Sequence, residues 1–258
     1  MIFEDLFCSL AALVPSQRKT KPLVALCYHQ IVDDGAPLDR FTISRKMFAR
    51  HIRTILQSGL EVIGPDRFWQ AEESSVMITF DDNLESHLHH ATPVLAESGV
   101  TGTFFLTPGD LGKPGQLSPS QVDELLAAGM WIGAHNNQHR VVSSYTPEDF
   151  VSEVALCREY LDSLGMPLSW AYPGGHIGSF REIHDDILRQ QGFDLRFSSL
   201  EEPCDPHDSN RVQGRYVIRQ NCSDRYFHSA LAGGLQMIRI YKKTKAKILP
   251  ASGLQSGR

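Results

Sequence analysis

Val76-Met77-Ile78-Thr79-Phe80-Asp81-Asp82 is a short apolar run that ends in two adjacent carboxylates. The run has the length and the content of β-branched and aromatic residues that are typical of a buried strand. Two carboxylates at the end of a buried strand cost folding free energy unless a cation, hydrogen bonds or solvent compensates them. The pattern therefore predicts a strand that delivers two acids to a site, with a metal ion as the obvious compensator.

Strands and helices alternate along most of the chain on either side of this run. Ser44 can cap a helix that ends at Gly59, Thr146 can cap another, and Ser179 with Glu182 can form a capping box. Such alternation predicts an α/β fold, a distorted (β/α) barrel of about seven to eight strands with a largely parallel sheet. The predicted strands span residues 23–28, 61–63, 76–80, 101–107, 130–134, 168–172, 193–199 and 215–219.

The composition is that of a globular domain. The 258 residues are 41% hydrophobic and 21% charged, and the formal net charge of -5 gives no sign of nucleic-acid binding. One barrel domain is predicted over residues 21–236, between an N-terminal segment, 1–20, and a basic C-terminal tail, 237–258. Residues 108–119 and 200–214 are predicted to be irregular and long enough to shape a substrate cleft.

The two ends of the chain and its cysteines bear on location. Residues 1–7 carry acids where a cleaved secretory signal has lysine or arginine, and five scattered cysteines without a CxxC pair suit a reducing compartment. A cytoplasmic enzyme is therefore predicted. The tail combines isoleucines with six basic residues, which predicts either peripheral contact with the inner face of the membrane or a solvated terminal helix.

Two histidines downstream of the strand offer the remainder of a metal site. His135 and His139 are four residues apart, and a helical turn or a tight turn converts this spacing into two neighbouring side chains. Two neutral imidazoles and one carboxylate make a three-ligand site with an open position for water. Only one acid, Asp81 or Asp82, needs to bind the metal, so the other is free to act as a general base. The spacing leaves open which acid has which role.

Three segments resemble the motifs of the polysaccharide deacetylase family, carbohydrate esterase family four. Thr79-Phe80-Asp81-Asp82-Asn83 is similar to Thr-Phe-Asp-Asp-Gly, and His135-Asn136-Asn137-Gln138-His139 is similar to His-(Ser/Thr)-x-x-His. Trp170-Ala171-Tyr172-Pro173-Gly174-Gly175 resembles the aromatic-proline-glycine segment of exopolysaccharide-type members. The resemblance extends over residues 23–219.

The resemblance implies a role for each of these site residues. Asp81 corresponds to the catalytic base, and the backbone N–H of Tyr172 to a donor that stabilises the oxyanion. In members whose last two motifs lie at the front of the chain, a Tyr-His segment supplies the general acid, which is His29 here. The family's metal ligands correspond to Asp82, His135 and His139.

Three positions depart from the family pattern. Asn83 replaces a glycine, although asparagine tolerates left-handed backbone better than most residues. Asn136 replaces a serine or threonine in the loop between the two histidines. Ala171 stands where many members have an arginine that orients the base.

By this resemblance the chain is a metal-dependent hydrolase that removes N-acetyl groups from amino sugars of a polysaccharide or a lipid-linked glycan precursor. Zinc is the default metal, and a site with two histidines and one carboxylate also accepts cobalt, nickel or iron. Two alternatives stay open. One is a hydrolase that removes a formyl or O-acetyl group from a glycan, and the other is a barrel that binds glycan without turning it over.

The sequence also predicts whether several further histidine and aromatic side chains lie at the surface, in the core or against the substrate. His87, His89 and His90 follow the acids without a matching carboxylate, so they are predicted to lie at the surface. Among the aromatic residues, Tyr172 is the one predicted to stack on a sugar ring. Core packing is predicted for Phe41, Trp69, Trp131 and Trp170.

Overall fold

The computed structural model describes residues 21–71 and 74–234. The predictions for the segment at 1–20 and the tail at 237–258 therefore concern parts of the chain outside the described residues. The strands are β1 (Val24–Tyr28), β2 (Gln30–Val32), β3 (Thr42–Ser44), β4 (Glu61–Val62), β5 (Ser75–Asp81), β6 (Thr103–Leu106), β7 (Trp131–Ala134), β8 (Ser169–Ala171), β9 (Leu195–Phe197) and β10 (Tyr216–Val217).

Within the described ranges, eight strands form one parallel sheet and two form a small separate one. The order across the large sheet is β10-β1-β5-β6-β7-β8-β9, with β4 paired to the start of β5. The strands β2 and β3, which the sequence did not predict, pair with each other beside the end of β1. The predicted (β/α) barrel is confirmed, since the parallel sheet curls and its connections carry helices.

The irregular segment at 200–214 brings the two edges of the sheet together. Phe197, at the end of β9, forms an isolated parallel bridge with Gln213, whose N–H donates to the Arg196 carbonyl at 2.7 Å. Arg196 is fully buried and donates to the Asn210 carbonyl at 3.2 Å, which holds the segment against β9. The segment therefore leads into β10 and closes the distorted barrel.

The helices cover the outer face of the sheet. They are α1 (Arg45–Gln57), α2 (Thr92–Glu97), α3 (Pro119–Ala127), α4 (Pro147–Ser163), α5 (Glu182–Gln190) and α6 (Asp224–Leu231), and a π-helical turn, His87–Ala91, precedes α2.

The helix caps confirm two predictions and correct a third. Ser44 and Thr146 cap α1 and α4, each by accepting a backbone N–H from the first turn. The capping box predicted for Ser179 is wrong, because α5 begins after Arg181. The Ser179 hydroxyl instead donates to the His176 carbonyl at 2.7 Å.

Alternate residues of the strands separate the core into two layers. Val24 and Leu26 belong to the larger cluster under the helices, whereas Ala25 and Met77 belong to the smaller cluster inside the barrel. Because side chains alternate along a strand, the face of β5 that carries Met77 also carries Asp81. The strand pattern therefore directs the Asp81 carboxylate into the barrel.

The strand register brings the site residues to one end of the barrel. His29 directly follows β1 and Asp81 ends β5, and the pairing of these strands sets the two residues level. His135 directly follows β7, whose last residue pairs with the last residue of β6. The carboxyl ends of these strands thus form one edge, where a site of this fold is expected. Across both described ranges, every helix is too short or too polar to cross a bilayer.

Candidate metal centre and catalytic residues

A sharp turn after β5 gives the two neighbouring acids different surroundings. Asp82 and Asn83 both have left-handed backbone, with φ of 81° and 46°. Few non-glycine residues adopt this conformation, and asparagine and aspartate are enriched among those that do. The turn leaves Asp81 buried inside the barrel, while the side chain of Asp82 is 31% exposed. One strand therefore supplies a buried carboxylate and a solvent-facing one.

Asn83 clamps this turn to the next strand. Its side-chain amide donates to the Thr107 carbonyl at 2.8 Å, and the Thr107 N–H donates back to its side-chain oxygen at 2.5 Å. The Thr107 hydroxyl in turn donates to the His135 carbonyl at 3.1 Å. The residue that replaces the family's glycine therefore links the backbone of Asp82 to that of His135.

The two histidines converge on Asp82. The Nε2 atom of His139 lies 2.9 Å from Asp82 Oδ1, and the Nε2 atom of His135 lies 3.4 Å from the same oxygen. A carbonyl can only accept, so the contact of His135 Nδ1 with the Ala171 carbonyl at 2.8 Å puts the proton on Nδ1 and frees Nε2 as a ligand. The His139 hydrogen bond to the Asp82 carboxylate raises the pKa of His139.

The loop between the histidines is a tight turn. Asn136 and His139 have left-handed backbone, with φ of 64° and 51°. The Asn136 side chain accepts from the Asn137 N–H at 2.9 Å and donates to the Arg140 carbonyl at 3.1 Å and to the Tyr145 hydroxyl at 3.2 Å. Asparagine at this position therefore braces the loop through both ends of its amide.

The donor set of Asp82, His135 and His139 fits a divalent metal. One ligand atom from each residue lies within 4.8 Å of the other two. Tetrahedral zinc with bonds of roughly 2 Å to nitrogen and oxygen places its ligand atoms roughly 3–4 Å apart, so small side-chain adjustments suffice. Two imidazoles and one carboxylate leave a coordination position for water or substrate.

Arg215 holds the other acid in a bidentate ion pair. Its Nη1 and Nη2 atoms donate to Asp81 Oδ1 and Oδ2, both at 2.7 Å, and its Nε donates to the Ser198 carbonyl at 3.2 Å. Burial alone would raise the pKa of Asp81, but the Arg215 guanidinium outweighs it and holds that pKa below its usual range. Asp81 is therefore an ionised carboxylate in a fixed orientation.

Sequence reasoning missed Arg215. Many family members have an arginine that orients the base at the position of Ala171. Here Arg215, the residue just before β10, makes that contact. The only signal for it in the sequence is a basic residue between Gly214 and the apolar residues of a predicted strand. Arg215 is 1% exposed, which an unpaired cation could not tolerate.

His29 lies at the mouth of the barrel, beside the base. Its nearest ring nitrogen lies within 4.8 Å of an Asp81 oxygen, and its Nδ1 lies 4.0 Å from Cys27 Sγ. The Cys27 thiol donates to Asp81 Oδ2 at 3.4 Å. Burial lowers the pKa of His29, although the nearby carboxylates oppose this effect. The residue that the family resemblance assigns as general acid is therefore close to the assigned base.

His87 corrects a prediction. It is completely buried rather than at the surface, and its ring nitrogen Nε2 lies 2.9 Å from the His29 carbonyl. Burial lowers its pKa to about 4, so the ring is neutral and Nε2 carries the proton that it donates. His89 is exposed, as predicted. His87 therefore supports the backbone of His29.

Tyr172 corrects two predictions. Its backbone N–H donates to the Phe197 carbonyl at 2.9 Å, so this N–H is not available to an oxyanion. Its hydroxyl donates to Asp185 Oδ1 at 2.9 Å, and its buried ring stacks on Phe180 with a centroid separation of 3.9 Å. Tyr172 therefore packs in the core and cannot stack on a sugar.

Phe41 corrects the prediction that it packs in the core. It is 39% exposed, where core packing was expected, and its ring lies 5.0 Å from that of His29. Trp170 is fully buried, which confirms its prediction, and Trp69 and Trp131 are partly buried. The exposed aromatic ring nearest the candidate acid is therefore Phe41.

Comparison with known proteins agrees with this geometry. A family model described as "Polysaccharide deacetylase" matches residues 70–195, a range that contains β5 and both histidines. The curated "Putative polysaccharide deacetylase YxkH" of Bacillus subtilis (strain 168) is 23% identical over 219 residues, which cover 81% of this chain and 74% of that protein.

Two solved structures share the fold over most of the chain. IcaB from Ammonifex degensii is 27% identical, with a TM-score of 0.72, over 82% of this chain and 98% of that one. The Streptococcus pyogenes deacetylase PplD in complex with acetate is 20% identical, with a TM-score of 0.73, over 83% of this chain and 99% of that one. The barrel described above is thus a known architecture.

Proposed function

We propose that this chain, which belongs to the polysaccharide deacetylase family, is a metal-dependent hydrolase that removes N-acetyl groups from amino sugars. Its substrate is a polysaccharide or a lipid-linked glycan precursor of exopolysaccharide type. The observation that carries the proposal is the pairing of two unlike carboxylates at the end of β5. Asp82 lies among two histidines, and Asp81 lies beside them in an ionised state that Arg215 maintains.

Asp82, His135 and His139 would hold the metal. Zinc is the default for this donor set, with cobalt, nickel or iron as alternatives. A divalent metal bound there supplies Lewis acidity, which acidifies a water molecule and polarises an amide carbonyl.

Asp81 acts as the general base. Its Oδ2 atom lies 3.9 Å from His135 Nε2, so the carboxylate borders the metal-ligand set without being part of it. Because Arg215 keeps Asp81 ionised, the carboxylate can take a proton from the attacking water, whose oxygen forms the new bond to the amide carbon. Arg215 and the Cys27 thiol hold Asp81 in position during this transfer.

His29 acts as the general acid. The carbon–nitrogen bond breaks as the imidazolium gives its proton to the amine, which leaves acetate and a free amino sugar. A histidine with a lowered pKa releases a proton readily once it is charged, and Asp81 and Asp82 favour the charged form. His87 keeps the His29 backbone in place through their hydrogen bond.

The tetrahedral oxyanion needs a backbone donor other than Tyr172. Pro173 has no N–H, so the next candidate along the chain is the N–H of Gly174, which donates none of the backbone–backbone hydrogen bonds found among the described residues. Gly174 has left-handed backbone, with φ of 71°. We assign the oxyanion donor to this N–H.

A substrate panel tests the proposed function. Wild-type enzyme with one equivalent of metal is incubated with N-acetylglucosamine oligomers, an N-formylated amino sugar and an O-acetylated glycan, and free acetate or formate is measured. Acetate release from the N-acetylated oligomers supports the proposal. Formate release, or acetate from the O-acetylated glycan alone, would assign the same site to the alternative hydrolase. Glycan binding without any release would favour the non-catalytic barrel.

We further propose that the enzyme works in the cytoplasm, peripheral to the inner face of the membrane. The support is the tail at 237–258, which combines three isoleucines with six basic residues. Sedimentation with anionic and with neutral vesicles tests this proposal. Salt-sensitive binding to the anionic vesicles alone is expected, and loss of this binding on removing the tail is the matching control.

A further inference from the structure

A second group of metal-ligating side chains borders the candidate base. Cys27, His29 and Asp81 each offer a ligand atom, and these atoms lie within 4.8 Å of one another. Cys27 Sγ lies 3.4 Å from Asp81 Oδ2 and 4.0 Å from His29 Nδ1. None of the three residues belongs to the Asp82–His135–His139 set.

The spacing of the three atoms matches a tetrahedral ion. Zinc with a bond of roughly 2.3 Å to sulfur and roughly 2 Å to nitrogen and oxygen sets its ligands roughly 3–4 Å apart. The contacts of Cys27 already have these lengths. His29 is partly exposed and gives solvent ions access to the buried thiol.

The lone pairs of Asp81 also permit an ion at this place. Each carboxylate oxygen has two lone pairs, and Arg215 occupies one on each oxygen. The Cys27 thiol proton contacts a further one, on Oδ2. Burial raises the pKa of the Cys27 thiol, so the proton leaves for the buffer only when a cation displaces it. The sulfur and this oxygen then both point electron pairs at the vacated position. A divalent cation can then form bonds to sulfur, nitrogen and oxygen there.

The ligand types and charges indicate which metal binds and how strongly. A thiolate selects soft or borderline ions such as zinc over magnesium or calcium. The guanidinium of Arg215 is hydrogen-bonded to Asp81 and repels a cation, whereas no described arginine or lysine forms an ion pair with Asp82. The second position should therefore fill only after the Asp82 set is occupied.

We propose that Cys27, His29 and Asp81 form a second, inhibitory zinc site. An ion held there binds Asp81 and a ring nitrogen of His29, so its charge weakens Asp81 as a base and the bound nitrogen cannot carry a proton. Excess zinc therefore stops the reaction without displacing the first metal. The inhibition rests on the proposed function, whereas the binding of the second ion does not.

Cobalt titration of the whole protein tests the site independently of catalysis. Wild type, Cys27→Ser and Cys204→Ser are titrated with cobalt, and bound metal and the near-ultraviolet spectrum are recorded. Serine at position 27 keeps a donor to Asp81 but cannot form a thiolate. Cys204 is a buried thiol whose hydrogen bond to the Gly214 carbonyl serine can also make, so its variant is the matched control.

Wild type and Cys204→Ser are expected to bind two cobalt ions, the second with a sulfur-to-cobalt charge-transfer band. Cys27→Ser should bind one ion without the band. Acetate release at excess zinc, relative to one equivalent, should fall in wild type and hold steady in Cys27→Ser. A single ion in wild type, or a thiolate band that persists in Cys27→Ser, would overturn the site. A Cys27-dependent band in a protein that releases no acetate would support the site and refute the proposed function.

Discussion

Two regions at the carboxyl end of β5 differ in how they are built. The metal corner consists of Asp82, His135 and His139, and two of its side chains face solvent, with Asp82 31% and His139 45% exposed. The base corner consists of Asp81, Arg215, Cys27 and His29, and its ion pair is almost completely buried. Exposed ligands can exchange a metal with solution, whereas the buried carboxylate owes its charge to a fixed cation.

The difference originates in one backbone turn. Asp81 continues the inward face of β5, and the left-handed conformation at Asp82 turns the next carboxylate outward. Adjacent acids are thereby separated into the proposed ligand and the proposed base without a long loop between them. A substitution in the base corner should therefore leave metal binding intact, and this independence can be tested.

The largest effect is expected from His135→Ala, which breaks the metal corner. The variant loses a ligand whose orientation the Ala171 carbonyl sets, so bound metal and acetate release should both fall to background. Metal content by mass spectrometry and acetate release are measured on the same sample. His89→Ala, which removes an exposed histidine outside the candidate ligand set, is the control and should keep both. Full metal content in His135→Ala would contradict the ligand assignment.

The second-largest effect is expected from substitutions of Arg215, in the base corner. Arg215→Met leaves a buried, unpaired carboxylate and should cost about 3–5 kcal/mol of unfolding free energy. Arg215→Lys keeps the charge but loses the bidentate contact, so turnover should fall about a hundredfold through misplacement of the base. Calorimetry and kinetics at fixed metal content measure the two effects.

The Arg215 variants also carry a pH signature. Arg215 lowers the pKa of Asp81, so weakening the pair should move the acidic limb of the activity profile to higher pH. Metal content should stay at the wild-type value in Arg215→Lys. An unshifted limb with normal turnover would show that Arg215 does not act on the base.

A smaller effect is expected from His87, which contacts the base corner through its hydrogen bond to the His29 carbonyl. Its pKa is about 4 because it is buried, against 6.5 for an ordinary histidine. The unfolded chain therefore binds a proton that the folded chain excludes, and stability falls as the pH drops below 6.5. The loss reaches roughly 3 kcal/mol by the time the pH approaches the folded-state pKa.

His87→Gln should remove this part of the pH dependence while keeping a donor for the His29 carbonyl. Urea unfolding at neutral pH and at about pH 5 gives the unfolding free energy at each pH, and hence its slope against pH. His51, with a pKa of about 4 and a ring stacked on Phe227, forms no hydrogen bond or ring contact with His29 within the described residues and is the matched control. Its glutamine variant should lose a similar slope without affecting turnover. An unchanged slope in His87→Gln would contradict the buried neutral state.

The smallest effect is expected from Asn83→Gly, which restores the residue typical of the family. Glycine suits the left-handed backbone but loses both hydrogen bonds to Thr107. Unfolding free energy should fall by roughly 1–2 kcal/mol and metal affinity about tenfold. Ser74→Gly, also at a left-handed position, is the control and should keep its metal affinity. Equal affinities in wild type and Asn83→Gly would mean that the clamp does not support the metal corner.

The comparison also explains what the sequence can predict. The metal corner lies in two short motifs, so the sequence alone predicts the three side chains that the structure brings together. Of the base corner, the sequence predicts Asp81 and His29 but not Arg215. Arg215 is 134 residues from Asp81 along the chain, and only the closure of the barrel brings the two together. The hydrogen bond of the Tyr172 N–H depends on the pairing of β8 with β9, which residue types do not reveal.

Asn83 and Asn136, which replace the residues usual in the family, show a second limit of prediction from sequence. The sequence predicts that Asn83 tolerates a left-handed turn, but it does not show what the side chain of Asn83 or Asn136 contacts. In the structure each side-chain amide makes several hydrogen bonds that only a folded neighbour can provide. Local propensity predicts that the left-handed turns are tolerated, but tertiary contacts determine what the side chains do there.

The most direct test of the account is Asp81→Asn, with metal content and acetate release measured on the same sample. The variant keeps the shape of the side chain, and the metal corner does not include Asp81. The account predicts a full equivalent of bound metal and a fall in acetate release of about 10²–10⁴-fold, as expected for loss of a general base. Full metal content with wild-type turnover would contradict the division of roles between the two acids.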